Sequence, residues 1–557
     1  MAAPVGSLVA GAPPASPPVA AAVPASAHAP AARRCVAATP AREDLGTLVH
    51  RQADVSGART FAEHARNDRV LTFEDLDRWR GAFTRSPFRP GTTVALMVSD
   101  PLQCAAAFIG GIASGLWVAP LDPATPETGP SGVGSLVARV GADAVISDRP
   151  APDRASCPWY ELDSLAADLD PNSDGTGAPS AVSTAWIIRS TGKAGGVVLS
   201  SSGTTGRPKV VRLGQDKLLH TARGVVAHHR LSRDDRGFNP LPLFHINAEV
   251  VGLLSALVAG SSLVLDDRFH RTEFWRLMGE RRITWINAVP AIISRLAELR
   301  AGERVPHGIR FVRSASAPLP VATADRFEEA TGLPIVETYG MTEAASQIAA
   351  HPLSAPRRPG SVGVPVGIEL RVVRAEGASG DEPSECEAHE VGEIEIRGRA
   401  VIGSYAGGEH GDRFRPEGWL RTGDLGRRDE DGYLYLVART DDVINRGGEK
   451  VFPREIEEVL SADPAVISTA VLGRDDPELG QVPIAFVALR GLAPGDADGA
   501  TRVVGRLNDA LERSLVPARR PVALYVVASL PAGATGKVRR RALREPGIDV
   551  LHSFAGV

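Results

Sequence analysis

Cysteine is scarce: the 557-residue chain holds only Cys35, Cys104, Cys157 and Cys386. None stands in a CxxC pair or at a metal-ligand spacing. A disulfide framework and a structural zinc cluster are excluded, and the four read as reduced thiols. Long apolar runs are also missing. No stretch approaches the ~20 residues that cross a bilayer, and no basic segment precedes an apolar one at the N-terminus, so neither a membrane span nor a secretory leader is expected. Charge of one sign is not in excess. There are 62 Lys and Arg against 66 Asp and Glu, a formal net charge of -4, which offers no global field for nucleic acid or an anionic membrane. With 43% hydrophobic and 23% charged residues, the chain reads as a soluble, cytoplasmic, multidomain globular protein.

What is present begins with a tail. Residues 1–42 are dominated by Ala and Pro, as in "APPASPPVAAAVPASAHAP". Pro breaks helix and ladder, and Ala has little area to bury, so disorder is expected up to Glu43. Beyond it, "LTFEDLDRWRGAF" predicts a helix with Thr72 as its cap. "TTVALMVSD" predicts a buried strand, and "PLQCAAAFIGGIASGLWVAPLD" a small-residue helix running into another strand. This alternation predicts α/β architecture. Further on, "TEFWRLMGERR" predicts a helix and "ITWINAV" a strand. The pattern changes after residue 390. "GEIEIRG" predicts a half-buried antiparallel strand with "GYLYLVAR" as its neighbour. "VFPREIEEVL" predicts a helix with Pro453 in its first turn and Ile456, Val459 and Leu460 on one face. The plan is a tail (1–42), a large multi-subdomain α/β domain (43–438) and a smaller mobile α+β domain (439–557).

One stretch cannot build a core: "SSSGTTGRPK", Ser200 to Lys209. Backbone N–H groups freed by glycine, together with hydroxyls and a lysine, suit the oxygens and charge of a phosphate chain. The Walker A spacing is absent. Composition alone allows a solvated linker as readily as a phosphate cradle. Four more segments follow: "ETYGMTEA" (Glu337–Ala344), "GWLRTGDLG", "LVARTDDVINRGGEKVFPREIEEVL" and "LPAGATGKVRRRAL". An aromatic face suits a purine, and a carboxylate suits a hard cation between phosphates.

In this order the five segments resemble the motifs of the adenylate-forming superfamily, the AMP-dependent synthetases and ligases, over roughly residues 45–545. The resemblance implies ATP, Mg²⁺ and CoA. It implies that Ser202, Gly203, Thr204, Thr205, Gly206 and Lys209 cradle phosphates, and that Tyr339 stacks on adenine beside Gly340. Thr342 would contact a phosphate, and Glu343 with Thr204 would hold Mg²⁺. Asp424 and Arg439 would bind the ribose, Asp441 would be the pivot between domains, and Gly447 and Gly448 would leave room for a thiol arm. Lys537 would be the catalytic lysine. The arginines after it, Arg539, Arg540 and Arg541, are read as a solvated basic face.

"LPLFHINAEVVGLL" resembles the superfamily's acyl-pocket motif. Phe244 and His245 would stand at the wall, with Asn247, Glu249, Ala288, Ile292 and Ser316 toward the acid. His245 occupies the place where amino-acid-activating relatives carry Asp, which argues against an α-amino acid. Two readings of His245 stay open, a gate or a core histidine. Glu249 has two as well: facing solvent or capping a helix, or touching a polar group of the substrate. The chain departs from the family pattern at Val210–Leu213 after the hydroxyl loop, at Ala438, and at Pro531–Gly533. The implied activity is ATP-dependent adenylation of a carboxylic acid and transfer of its acyl group to CoA. The alternatives are delivery to a carrier-protein pantetheine arm or a nitrogen nucleophile, and an inactive nucleotide-binding protein on the same fold.

Overall fold

Local signals set the first elements. Thr72 caps helix Phe73–Arg85 as expected. Its hydroxyl accepts from the Asp75 amide at 3.1 Å, and the Asp75 carboxylate accepts from the Thr72 amide at 2.8 Å, a reciprocal capping box. Pro101 opens helix Pro101–Ala113 behind the Asp100 cap. The Gly110–Gly111 pair lets that helix press on its neighbours. A Cβ at Gly110 would stand 3.0 Å from the Trp79 backbone, and one at Gly111 3.0 Å from Val118 Cγ2.

The structure is a computed structural model that describes residues 43–129, 132–152, 155, 157–167, 195–201, 209–374, 383–408, 411–492, 495–533, 536–545 and 548–555. The Ala/Pro-rich tail, and with it the expectation of disorder, lies outside these residues, as do Ser202, Gly203, Thr204, Thr205 and Gly206 of the hydroxyl loop.

Two large sheets carry the N-terminal part. The first has six strands in the order 159–161, 144–147, 93–97, 117–120, 196–201, 209–214. It is parallel except for its last pair, where Ser201 lies opposite Lys209 across the mouth of the hydroxyl loop. The second has nine strands, and its central strands, from 335–341 through 311–314, 285–288, 236–239 and 262–265 to 60–64, are parallel. One hydrophobic cluster runs through both sheets and their helices. Parallel strands buried on both faces explain the near-continuous apolar runs. Ligands of such sheets bind beyond the carboxyl ends of the strands.

An antiparallel four-stranded sheet follows, in the order 369–373, 392–397, 420–428, 434–439. Two expectations are corrected here. "GYLYLVAR" is not the neighbour of "GEIEIRG", because "GWLRTGDLG" is itself a strand and lies between them. "GEIEIRG" is also not half-buried: Glu393 is 9% and Glu395 0% exposed. Its alternation separates apolar core from ion pairs rather than core from water. Glu395 is held by Arg371 at 2.8 Å and by Arg415, and Glu393 by Arg421 at 2.6 Å.

After a short connector, residues 440–443, the C-terminal sheet begins at Ile444. Its strands 444–446, 449–451, 466–476, 480–489, 523–527 and 550–555 pack on helices Pro453–Ser461 and Ala497–Ser514 around their own apolar cluster. Among the described residues, no helix is long and apolar enough to cross a membrane.

Candidate active site

Strand register assembles three motifs that lie far apart in sequence. Asp424 pairs directly with Arg439 across the last antiparallel ladder. The Arg439 Nε stands 3.2 Å from Asp424 Oδ1, and the Tyr339 hydroxyl donates to Asp424 Oδ2 at 2.5 Å. Burial and the Asp424 charge push the Tyr339 phenol well above its ordinary pKa, so it remains a donor. Tyr339 is almost fully buried; Gly340 follows it in the same strand, and Thr342 opens the 3-10 turn Thr342–Ala344 just after it.

Glu343 lies beside this group and is 6% exposed. Its Oε1 accepts from the Tyr405 hydroxyl at 2.9 Å and from Arg413 at 3.3 Å. Lys209 places its ammonium 4.6 Å above the Tyr405 ring, which brings the end of the hydroxyl loop to the same place. The second Glu343 oxygen has no partner among the described residues. A buried carboxylate with one oxygen unengaged suits a magnesium ion that takes its other ligands from phosphates and water.

The terminal lysine comes to this cleft from the C-terminal domain. Lys537 sits on one flank of a hairpin: Gly533 N donates to Lys537 O at 2.9 Å, Gly536 N to Gly533 O at 2.8 Å, and Ala532 pairs with Val538 in an antiparallel bridge. A Cβ on Gly536 would lie 3.4 Å from the Ala291 methyl and 3.8 Å from Val289, so the hairpin docks against the large domain. The Lys537 ammonium has no ion-pair partner among the described residues. Its pKa is pulled down by loss of hydration and by Arg439, against the opposing pull of Asp424 and Asp442. The expected basic face is corrected at one position. Arg539 and Arg541 are exposed, but Arg540 grips Glu457 with two bonds of 2.7 and 3.1 Å, donates to Val471 O, and lies 3.6 Å from Asp442. A guanidinium fork matches a carboxylate in this way.

Asp441 is exposed in the connector between the two C-terminal sheets. Gly447 and Gly448 lie on an exposed turn whose neighbours, Leu479 and Asn445, belong to the C-terminal domain. Both have left-handed backbones, with φ of +59° and +90°. Two successive positive φ angles between paired strands require this glycine pair for the turn itself.

At the other end, the rings of Phe244 and His245 lie 4.8 Å apart with their planes tilted by 47°. Burial lowers the His245 pKa, and its Nε2 has no partner. The next residues, Asn247–Leu254, form a π-helix, a wide turn frequent at functional sites. All eight of its residues are buried, Glu249 among them. The expectation that Glu249 faces solvent is overturned, for it is 0% exposed, neither oxygen has a partner, and burial raises its pKa well above the usual range. Ala288 and Ile292 are buried, while Ser316 is exposed at φ +73°.

Sequence reasoning missed the residue at the centre of this end. Arg313, 2% exposed, stands one residue before the end of its strand, paired with Asn287. It donates to Asn247 Oδ1 at 2.7 Å, Asn287 Oδ1 at 3.2 Å and Gln347 Oε1 at 3.3 Å. No carboxylate lies within ion-pair distance of it among the described residues, and burial pushes its pKa down to about 9. An arginine inside "FVRSASAP" carries no motif signal, and its amide partners come from three other segments.

Comparison with known proteins follows this geometry. The family model described as "AMP-binding enzyme" matches residues 50–406, and "AMP-binding enzyme C-terminal domain" matches residues 455–537. The chain belongs to the AMP-binding enzyme family. Sulfoacetate–CoA ligase of Cupriavidus necator is 40% identical over 347 residues, 62% of this chain and 65% of that protein. Oxalate–CoA ligase of Arabidopsis thaliana is 33% identical over 466 residues, 81% of this chain and 88% of that protein. The crystal structure of ATP-bound MatB from Rhodopseudomonas palustris superposes with a TM-score of 0.76 at 24% identity, covering 90% of this chain and 98% of that one. Within the family, this member has the large N-terminal and smaller C-terminal parts of the shared fold.

Proposed function

We propose that this chain is a cytoplasmic ATP- and Mg²⁺-dependent ligase that adenylates a carboxylic acid and transfers the acyl group to CoA. The observation that carries the reading is the docked hairpin, which holds an unpaired Lys537 ammonium beside the Asp424–Arg439–Tyr339 cluster. Asp424 and Arg439 orient the ribose, and Tyr339 provides the adenine face. Residues 202–206 with Lys209 surround the phosphates. Bound Mg²⁺, held through Glu343 and Thr204, supplies charge neutralisation on the phosphates.

In the first step a carboxylate oxygen of the acid bonds to the α-phosphorus, and the bond from that phosphorus to the bridging oxygen breaks. Pyrophosphate leaves with the electron pair. Lys537 offsets the charge that builds on the phosphoryl oxygens, and most of the rate comes from positioning and electrostatics. In the second step the CoA sulfur bonds to the acyl carbon, its proton passes to solvent, and AMP departs. The two steps need different groups at one centre. The connector around Asp441, between a large domain (43–438) and a small one (439–557), is the place where the lysine swings out and a thiol path past Gly447 and Gly448 opens.

The acid carries a second anionic group, as do the acids in the names of the two relatives, sulfoacetate and oxalate. The test is acid-dependent ATP–pyrophosphate exchange over mono- and dianionic acids, followed by product masses with and without CoA. Exchange and an acyl-CoA mass are expected. Absence of exchange with every acid refutes the reading, and an acyl product formed without CoA refutes the acceptor.

A further inference from the structure

The buried polar cluster at the carboxyl ends of three adjacent parallel strands is an ordered chain. Asn239 donates to Leu241 O at 3.1 Å, and Asn287 donates to Asn239 Oδ1 at 2.9 Å. That leaves Asn287 Oδ1 turned to Arg313, which also engages Asn247 and Gln347. The carbonyl oxygens of three amides are thus spent on one guanidinium, and the unspent groups are mainly donors. Arg313 Nε, Asn247 Nδ2, Gln347 Nε2 and Ser314 Oγ are all buried without a partner. Each of these four residues is more than nine-tenths buried.

Buried polar groups are normally satisfied, and a buried cation normally has a counter-ion. Here a buried positive charge and four spare donor groups lie on hydrogen-bonded or adjacent residues at the strand ends beyond which a ligand of such a sheet binds. The nearest histidines add no charge of their own, since burial disfavours the cationic form of His228 and His229. Asn247 belongs to the π-helix that continues from Phe244 and His245, so the cluster is continuous with the acyl end of the site.

We propose that Arg313 anchors the second anionic group of the acid substrate, a carboxylate or sulfonate, with Asn247, Gln347 and Ser314 donating beside it. This rests on the acid-activating reading above and adds the residue that selects the acid. Arg313 supplies planar, paired donors to a planar or tetrahedral oxyanion. An acid with a neutral end leaves those donors empty and binds poorly.

The experiment compares malonate, sulfoacetate and the monomethyl ester of malonate in ATP–pyrophosphate exchange by the full-length chain. The wild type is expected to favour one or both dianions over the ester, and the malonate and sulfoacetate arms separate carboxylate from sulfonate. Arg313→Gln is expected to lower kcat/KM for the favoured dianion by about 100-fold while the ester changes by less than about threefold. Gln347→Glu keeps Arg313 and adds a carboxylate where an amide oxygen now lies 3.3 Å from Nη2. It is expected to abolish the same preference with a melting temperature at or above that of the wild type, and so serves if Arg313→Gln fails to fold. Equal losses for dianions and ester assign Arg313 to the reacting carboxylate or to the fold and overturn the proposal. An unchanged preference in both variants overturns it, as does a wild type that favours the ester. No exchange with any acid by the wild type removes the ligase reading and this inference together.

Discussion

The nucleotide end and the acid end of the cleft treat charge in opposite ways. At the nucleotide end Asp424 is held by Arg439 and Tyr339, and Glu343 by Arg413 and Tyr405. At the acid end Arg313 and Glu249 are buried without an opposite charge, and between the two ends Lys537, an exposed residue, stands without an ion-pair partner among the described residues. A buried charge without a partner costs several kcal/mol, so a folded chain keeps one only where something else compensates. Paired groups are set in place before any ligand arrives. Unpaired groups are held for charge that the ligand brings or that the reaction creates. Removing a paired group should therefore damage the fold, and removing an unpaired one should damage the chemistry.

The sharpest break of this comparison is Lys537→Ala. Loss of one transition-state charge contact is expected to cut adenylation by about two orders of magnitude or more. The melting temperature should not move, and consumption of a supplied acyl-adenylate by CoA should fall far less. Equal loss in both half-reactions contradicts the division of labour. The depressed Lys537 pKa adds a sign. The ammonium is the active form, so adenylation falls as pH rises through that lowered pKa, and Lys537→Arg moves the alkaline limb upward.

Arg540→Ala tests the paired side three residues beyond Lys537. The Glu457 side chain is 15% exposed and loses its fork of hydrogen bonds. Breaking such a pair costs roughly 2 kcal/mol here, below the fully buried range because Arg540 itself is 29% exposed. Calorimetry should show the C-terminal domain melting earlier. Adenylation should fall with it, because Arg540 ties the hairpin to Asp442 and to helix Pro453–Ser461.

Glu249 provides an unpaired carboxyl with the opposite consequence. Its folded pKa is raised above the ordinary 4.5. Below 4.5 both folded and unfolded states hold the proton, and its stabilising contribution is fully present. Above it the unfolded chain ionises first, and stability is lost at about 1.4 kcal/mol per pH unit until the folded pKa is passed. Glu249→Gln removes that slope. Its melting temperature should match the wild type near pH 4.5 and exceed it increasingly toward pH 7. A constant offset across pH would show that the buried carboxyl is already compensated.

The same contrast explains what could be read from residue order. The nucleotide end is built from contiguous motifs, so "ETYGMTEA", "GWLRTGDLG" and "LVARTDD" name Tyr339, Asp424 and Arg439 without a structure. Thr72, Pro101 and Pro453 announce their helices through local chemistry. The acid end is assembled by tertiary contact. Arg313 meets Asn247, Asn287 and Gln347 only because three strands and a π-helix converge, and Glu249 is buried because the tertiary packing encloses every residue of that helix. "GEIEIRG" misleads for a related reason. Alternating Glu and Ile signals one wet face, but Arg371, Arg415 and Arg421 come from elsewhere in the chain to bury it.

The smallest expected effect belongs to a position with no charge. Gly448 has φ +90°, and a Cβ there meets nothing within 4 Å, so Gly448→Ala introduces backbone strain without a clash. The cost is about 1 kcal/mol. If the turn is the pair's whole role, both half-reactions survive, and Gly448→Asn, which tolerates the left-handed region better, recovers most of the lost stability. If the pair also clears the path of a thiol arm, both variants lose CoA-dependent thioester formation while pyrophosphate exchange stays near wild type. The stability cost is common to the two cases, so the ratio of the half-reactions decides between them. A selective loss with Asn, whose side chain fills space but eases the strain, assigns the glycines to the acceptor rather than to the fold.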